Sequence, residues 1–196
     1  MGGVSKEHLW SMNLSFSRGD EAENVLENYR RIACVLGCDV TDIVSSHQTH
    51  TTNIRIVTSA DKGKGVTEER DYTDIDGLIT DERGLALACF YADCVPLYFV
   101  DPVKKVIGLA HSGWRGTVAG IGIKMVRKMQ EIFGCDPKDI IAAIGPSICQ
   151  ECYEISEEVA DQFKDGMWSE ESTKDVLNLI HTSGIYSDKN LLEDGK

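Results

Sequence analysis

Three short stretches place metal-friendly side chains where an apolar run gives way to a turn. "SSHQTHTTN" carries His47 and His50, "YADCVP" carries Cys94 beside Asp93, and "AHSGWRG" carries His111. Imidazole nitrogen and thiolate sulfur are donors that zinc takes in tetrahedral geometry, and three protein donors leave a fourth position for water or substrate. The three stretches lie far apart, so spacing alone is a weak signal, and each residue also has an ordinary reading. His47 and His50 fit a polar surface, Cys94 a buried thiol, and His111 a cap on a backbone carbonyl. Arg115, next to Trp114, adds a permanent cation whose fork matches phosphate or carboxylate oxygens, with a salt bridge to one of the many acids as the alternative. Free N–H groups at the start of a following helix would reinforce an anion there. "CQEC", Cys149 to Cys152, has the Cys-x-x-Cys spacing but no second pair, and reads as ordinary thiols.

The elements that must position these residues are legible in outline. "GDEAENVLENYRRIACVLG" reads as a helix with Asp20 as N-cap, Glu23 closing a near capping box, and Gly37 as the stop. Its Val25, Tyr29, Ile32 and Leu36 fall on one face. Cys34 and Cys38 are expected in or near the core of that helix. A second helix is predicted from about Thr117 to Phe133, with Val118, Ile121, Met125, Met129 and Ile132 at helical spacing and Gly134 ending it. Ser156 is the expected cap of a third, with Val159 and Phe163 inward. Strand-like runs lie at Asn53–Thr58, "GLIT", Leu85–Val100, Lys105–His111 and Asp139–Gly145, the last two read as buried. Strands outnumber helices in irregular order, which favours α+β over a doubly wound sheet. The tail after Gly166 forms no legible element.

Composition bounds the function. The 196 residues carry 32 acidic and 20 basic side chains, a formal net charge of −12 that repels nucleic-acid backbones, so no nucleic acid is expected as partner. No apolar run reaches the length of a membrane span, and "MGGVSKEHLW" lacks a signal-peptide layout, so a cytoplasmic protein without membrane contact is expected. Seven cysteines, an odd number, argue against a disulfide framework, and most are expected to be small buried hydrophobes.

Taken together, "GGVSKEHLWSMNLSF", "HQTHTTN", "DGLIT", "ADCVPLYFVDP", "AHSGWRGTVAG" and "IGPSICQECYE" resemble, in this order, the YfiH/YlmD-like laccase-domain family, also described as multicopper polyphenol oxidase-type proteins. The resemblance implies one domain over residues 1–196, a layered α/β/β/α arrangement of mixed sheets and flanking helices similar to bacterial toxin-like Cys–His hydrolases. It also implies that the family's N-terminal strand and C-terminal segments are lacking. Zinc held by His50, Cys94 and His111 follows from it, with copper possible at the same donors. Family members act as purine nucleoside phosphorylases on adenosine, inosine and methylthioadenosine, with adenosine deaminase activity alongside, so a purine nucleoside and phosphate are the implied partners, for a monomer or homodimer. In that scheme Arg115 and Gly116 bind substrate, Arg115 taking the phosphate; Gln48 hydrogen-bonds substrate; and Asp93 orients a ligand or moves a proton. Three alternatives stand beside it. One is a Cys–His amidase editing peptidoglycan precursors, with Cys94 as nucleophile and His111 or His50 as base. Another is a copper-dependent polyphenol oxidase, which five histidines serve poorly. The last is a zinc-stabilised binding protein.

Overall fold

The computed structural model describes residues 2–165. Helix α1 (Ala22–Leu36) begins one residue later than its sequence signal: Glu21 is the N-cap, and Asp20 turns its carboxylate to the Asn13 and Asn24 amides instead. Gly37 ends the helix in the left-handed conformation. Val25 and Tyr29 are buried as expected, but the inward stripe turns to Ala33, leaving Leu36 exposed. Cys34 is exposed as well, against the near-core reading, whereas Cys38, just past the helix end, is half-buried and packs against the Val25 and Tyr29 cluster.

Among the described residues seven strands form two sheets. Strands β1 (Ile43–Ser45) and β4 (Ala86–Ala88) make a parallel pair. The larger sheet runs in the order β2 (Ile54–Ile56), β3 (Gly77–Thr80), β6 (Val106–Ser112), β5 (Val95–Asp101), β7 (Ile141–Ile144). Only the β2–β3 pair in it is parallel. Helices α2 (Trp114–Val118), α3 (Ile121–Phe133) and α4 (Glu157–Asp165) complete the set. Strands alternate side chains between faces, and both faces of the central sheet are used. Ile79, Phe99, Val106 and Ala110 pack under Met125 and Met129 of α3, while Leu78 packs with Val44 and Leu87 of the small sheet. Ile43, Ala86 and Ala88 on the far side of the small sheet meet Val25 and Tyr29 of α1. The layers are therefore α1, small sheet, large sheet, α3, the α/β/β/α order inferred from sequence.

Two features depart from the sequence reading. The helix predicted from Thr117 is two helices, because Gly120 adopts φ +71 and closes α2 before α3 starts. Strand β7, an apolar run that reads as buried, is exposed along its length because it is the last strand at that side of the sheet among the described residues. The pattern of apolar runs also passes over β1, which is only three residues long. Met125 fits because glycines lie beneath it. A Cβ on Gly77 or Gly108 would come 2.8 Å from its sulfur or methyl carbon. The expectations for the tail after Gly166 fall outside the described residues, and no helix among the described residues is long and apolar enough to cross a membrane.

Candidate metal centre

His111 lies on β6 in the middle of the large sheet, and Cys94 immediately precedes its neighbour β5. The antiparallel register sets Val95 opposite Ser112 and Pro96 opposite His111, so the thiol and the imidazole arrive at the same end of the sheet. His50 reaches them from the loop leading into β2. The ligand atoms of His50, Cys94 and His111 all lie within 4.8 Å of one another. His50 Nε2 and Cys94 Sγ are 3.8 Å apart, and the two imidazoles meet edge to face at 4.9 Å. Bond lengths of about 2.1 Å to nitrogen and 2.3 Å to sulfur in a tetrahedron separate the two donors by roughly 3.6 Å. The donor types and their separation fit one zinc ion with a position left open. His47 is not in this group; its ring accepts from the Asp74 N–H at 3.3 Å.

Asp76, which the sequence reading did not single out, joins the two histidines. It directly precedes β3 and is fully buried. One carboxylate oxygen accepts from His111 Nδ1 at 2.8 Å and from the His50 N–H at 3.0 Å. The other accepts from the N–H groups of Thr49 and Thr51 and from the Thr51 hydroxyl. Burial alone would raise this carboxyl, but the bonds from His111, Thr51 and Thr49 outweigh it and hold it at about 2. A carboxylate only accepts, so His111 carries its proton on Nδ1 and offers Nε2 to the metal. His50 needs this anchor because its φ is +64, a left-handed conformation that costs about 1–2 kcal/mol in a residue with a Cβ. The one signal available in the sequence was an acid abutting a short, mostly apolar strand in "DIDGLIT".

The glycine before Trp114 has a steric reason. A Cβ on Gly113 would lie 2.6 Å from His50 Cδ2 and 3.1 Å from Cys94 Sγ, so any side chain there displaces two ligands. Gly116 is buried on α2, and a Cβ there would meet the Thr51 carbonyl at 3.4 Å. Arg115 is exposed, its guanidinium stacked 4.2 Å over the Trp114 ring. The Thr117 N–H donates to the Gly113 carbonyl as the first bond of α2, so the helix-start N–H groups are those of Trp114, Arg115 and Gly116 rather than those at Thr117. Gln48 is held at both ends of its amide: it accepts from the Phe90 N–H at 2.7 Å and donates to the Phe90 carbonyl at 2.6 Å. Asp93 is exposed, and its carbonyl accepts from the Ile148 N–H. Burial, followed by the charges of Asp93 and Asp76, pushes the Cys94 thiol up. Of the seven cysteines one, Cys135, is buried, three are half-buried and three, Cys34, Cys149 and Cys152, are exposed, against the expectation that most would be buried.

Residues 1–184 match the family model described as multi-copper polyphenol oxidoreductase laccase. The chain is 42% identical over 161 residues to purine nucleoside phosphorylase YlmD of Bacillus subtilis, covering 82% of this chain and 58% of that protein. It is 35% identical over 165 residues to adenosine deaminase RL5 from an unknown prokaryotic organism, covering 83% and 63%. The crystal structure of the Bacillus licheniformis hypothetical protein YfiH superposes with a TM-score of 0.82 at 34% identity, covering 93% of this chain and 74% of that one. The chain thus spans about three fifths of the length of these two curated relatives.

Proposed function

Since the chain belongs to the multi-copper polyphenol oxidoreductase laccase family, we propose that it is a zinc-dependent purine nucleoside phosphorylase that also deaminates adenosine. The observation that carries this reading is the three-donor cluster of His50, Cys94 and His111, with its open fourth position, in a chain 42% identical to a purine nucleoside phosphorylase. The second activity is favoured by the likeness to an adenosine deaminase. Adenosine, inosine and methylthioadenosine are the proposed nucleosides, phosphate the co-substrate and the cytoplasm the compartment.

Zinc, when bound, polarises the ligand in its open position and lowers the pKa of a bound water toward about 7. Everything else falls to the chain's own residues. Asp76 fixes the His111 tautomer and pins the His50 loop, so the three donors are held before the ion arrives. Arg115, braced on Trp114, binds phosphate through its guanidinium, and buried Gly116 lets α2 pack against the ligand loop. In phosphorolysis a phosphate oxygen attacks the anomeric carbon as the bond to the purine nitrogen breaks, and the departing base takes a proton. Asp93, exposed beside Cys94, is the group assigned to move that proton. Gln48 contributes through Phe90, whose backbone it clamps. The amidase alternative requires Cys94 as a free thiolate; its thiol is instead pushed up and lies among imidazole donors, the setting of a metal ligand.

Metal analysis of protein purified without added metal, paired with adenosine phosphorolysis in phosphate buffer, tests the reading. About one zinc per chain with adenine release, both lost in Cys94→Ala, supports it. Metal-free protein with a fast-reacting Cys94 and no purine turnover would transfer the assignment to the amidase.

A further inference from the structure

We propose that Cys149 and Cys152 form a redox-active dithiol that a hydroperoxide converts to a reversible intrachain disulfide. The pair stands outside the metal centre, and this inference does not depend on the purine reading. Residues Gln150–Cys152 wind into a 3-10 turn, closed by the Cys152 N–H donating to the Cys149 carbonyl at 3.1 Å. In such a turn the side chains at i and i+3 eclipse. The Cys-x-x-Cys spacing therefore sets the two sulfurs side by side. The neighbouring Cys149 thiol, with a smaller effect of burial, pushes the Cys152 thiol up. Cys149 in turn hydrogen-bonds the Glu151 carboxylate. The ends of a tight turn lie within about 7 Å at Cα, and disulfides span about 4.4–6.8 Å, so the bond can close by side-chain rotation. Both residues are exposed, so a small peroxide can reach them.

The chemistry balances in two displacements. The Cys149 sulfur attacks a peroxide oxygen, the O–O bond breaks, and Cys149 keeps one oxygen as a sulfenic acid. The other oxygen leaves as water, or as an alcohol from an organic hydroperoxide, with the Cys149 proton. The Cys152 sulfur then attacks the Cys149 sulfur, the S–O bond breaks, and the hydroxyl leaves as water with the Cys152 proton. Two thiols lose two electrons and two protons, and the peroxide takes both. The same two displacements run with Cys152 as the first attacker, since each thiol has a hydrogen-bonding neighbour. Thiol–disulfide exchange with a small dithiol reverses the product, so in a reducing compartment the bond is transient. The turn also adjoins the metal centre, since Ile148 beside it donates to the carbonyl of Asp93, next to Cys94.

The test treats the zinc-loaded full chain with one equivalent of hydrogen peroxide, alkylates the remaining thiols and maps the peptides. The segment holding Cys149 and Cys152 should become about 2 Da lighter and resist alkylation, and dithiothreitol should restore both thiols. In Cys152→Ser, Cys149 should stop at the sulfenic acid and be captured by a 1,3-diketone probe. Retained zinc in Cys149→Ser and Cys152→Ser would show that the variants fold. Consumption of the peroxide at Cys34 or any other cysteine, with Cys149 and Cys152 still alkylated, would overturn the inference. So would oxidation of the two to separate sulfinic acids with no bond between them.

Discussion

His111 and His50 point their rings at each other, yet the chain holds them in opposite ways. His111 is buried on a central strand, paired on both sides by β3 and β5. His50 is exposed, on a loop with a left-handed backbone, and Asp76 takes its N–H and those of both neighbours. One ligand is positioned by the sheet and the other by a single carboxylate. A metal site of this kind needs only one rigid wall if a buried acceptor ties the second wall to it.

The sharpest way to break that contrast is Asp76→Ala. It strands the His111 Nδ1–H and three loop N–H groups together, so urea denaturation should show a loss of about 3–5 kcal/mol. Zinc affinity, read by competition with a chromogenic chelator, should fall roughly 10–100-fold. Acid probes the same link more gently. The folded Asp76 carboxyl is held at about 2 against an ordinary value of 3.8, so its contribution is complete above about pH 4 and is lost as pH falls toward 2. Metal-free protein should lose about 2 kcal/mol of stability over that interval on this account. Asp76→Asn, less stable from the start, should lose less over it, and parallel curves for the two proteins would remove Asp76 from the explanation. Gly113→Ala presses on the movable wall most closely, its Cβ 2.6 Å from His50 and 3.1 Å from Cys94, so zinc should bind roughly tenfold more weakly while the far-ultraviolet circular dichroism stays unchanged. The smallest effect is expected of His50→Gly, which relieves the left-handed strain and should raise the stability of metal-free protein by up to about 1 kcal/mol in the same denaturation measurement. An unchanged or lowered stability would mean that Asp76 imposes no strain on that loop.

The candidate donors were noticeable because their chemistry lies in side-chain type, but choosing His50 over His47 and joining the three into one site rested on the family resemblance. Asp76 was not noticeable, because its role arises only when β3 pairs with β6 and the His111 N–H donates to the Asp76 carbonyl at 2.8 Å. The apolar periodicity of α3 and the β-branched runs indicated only an α+β chain, and the layered order came from the family resemblance. The break at Gly120 was hidden because the apolar spacing continues through it, from Val118 to Ile121. Burial of β7 was misjudged for a related reason, since an apolar run does not say whether its strand has one neighbour or two.

The convergence of Thr49, His50 and Thr51 on one carboxylate also has a kinetic side. Amides with separate acceptors exchange with deuterated solvent through separate openings, whereas these three are released by the same event, the departure of Asp76. They should take up deuterium as a block, at rates that differ only by their intrinsic chemistry, although two of the three residues lie at the protein surface.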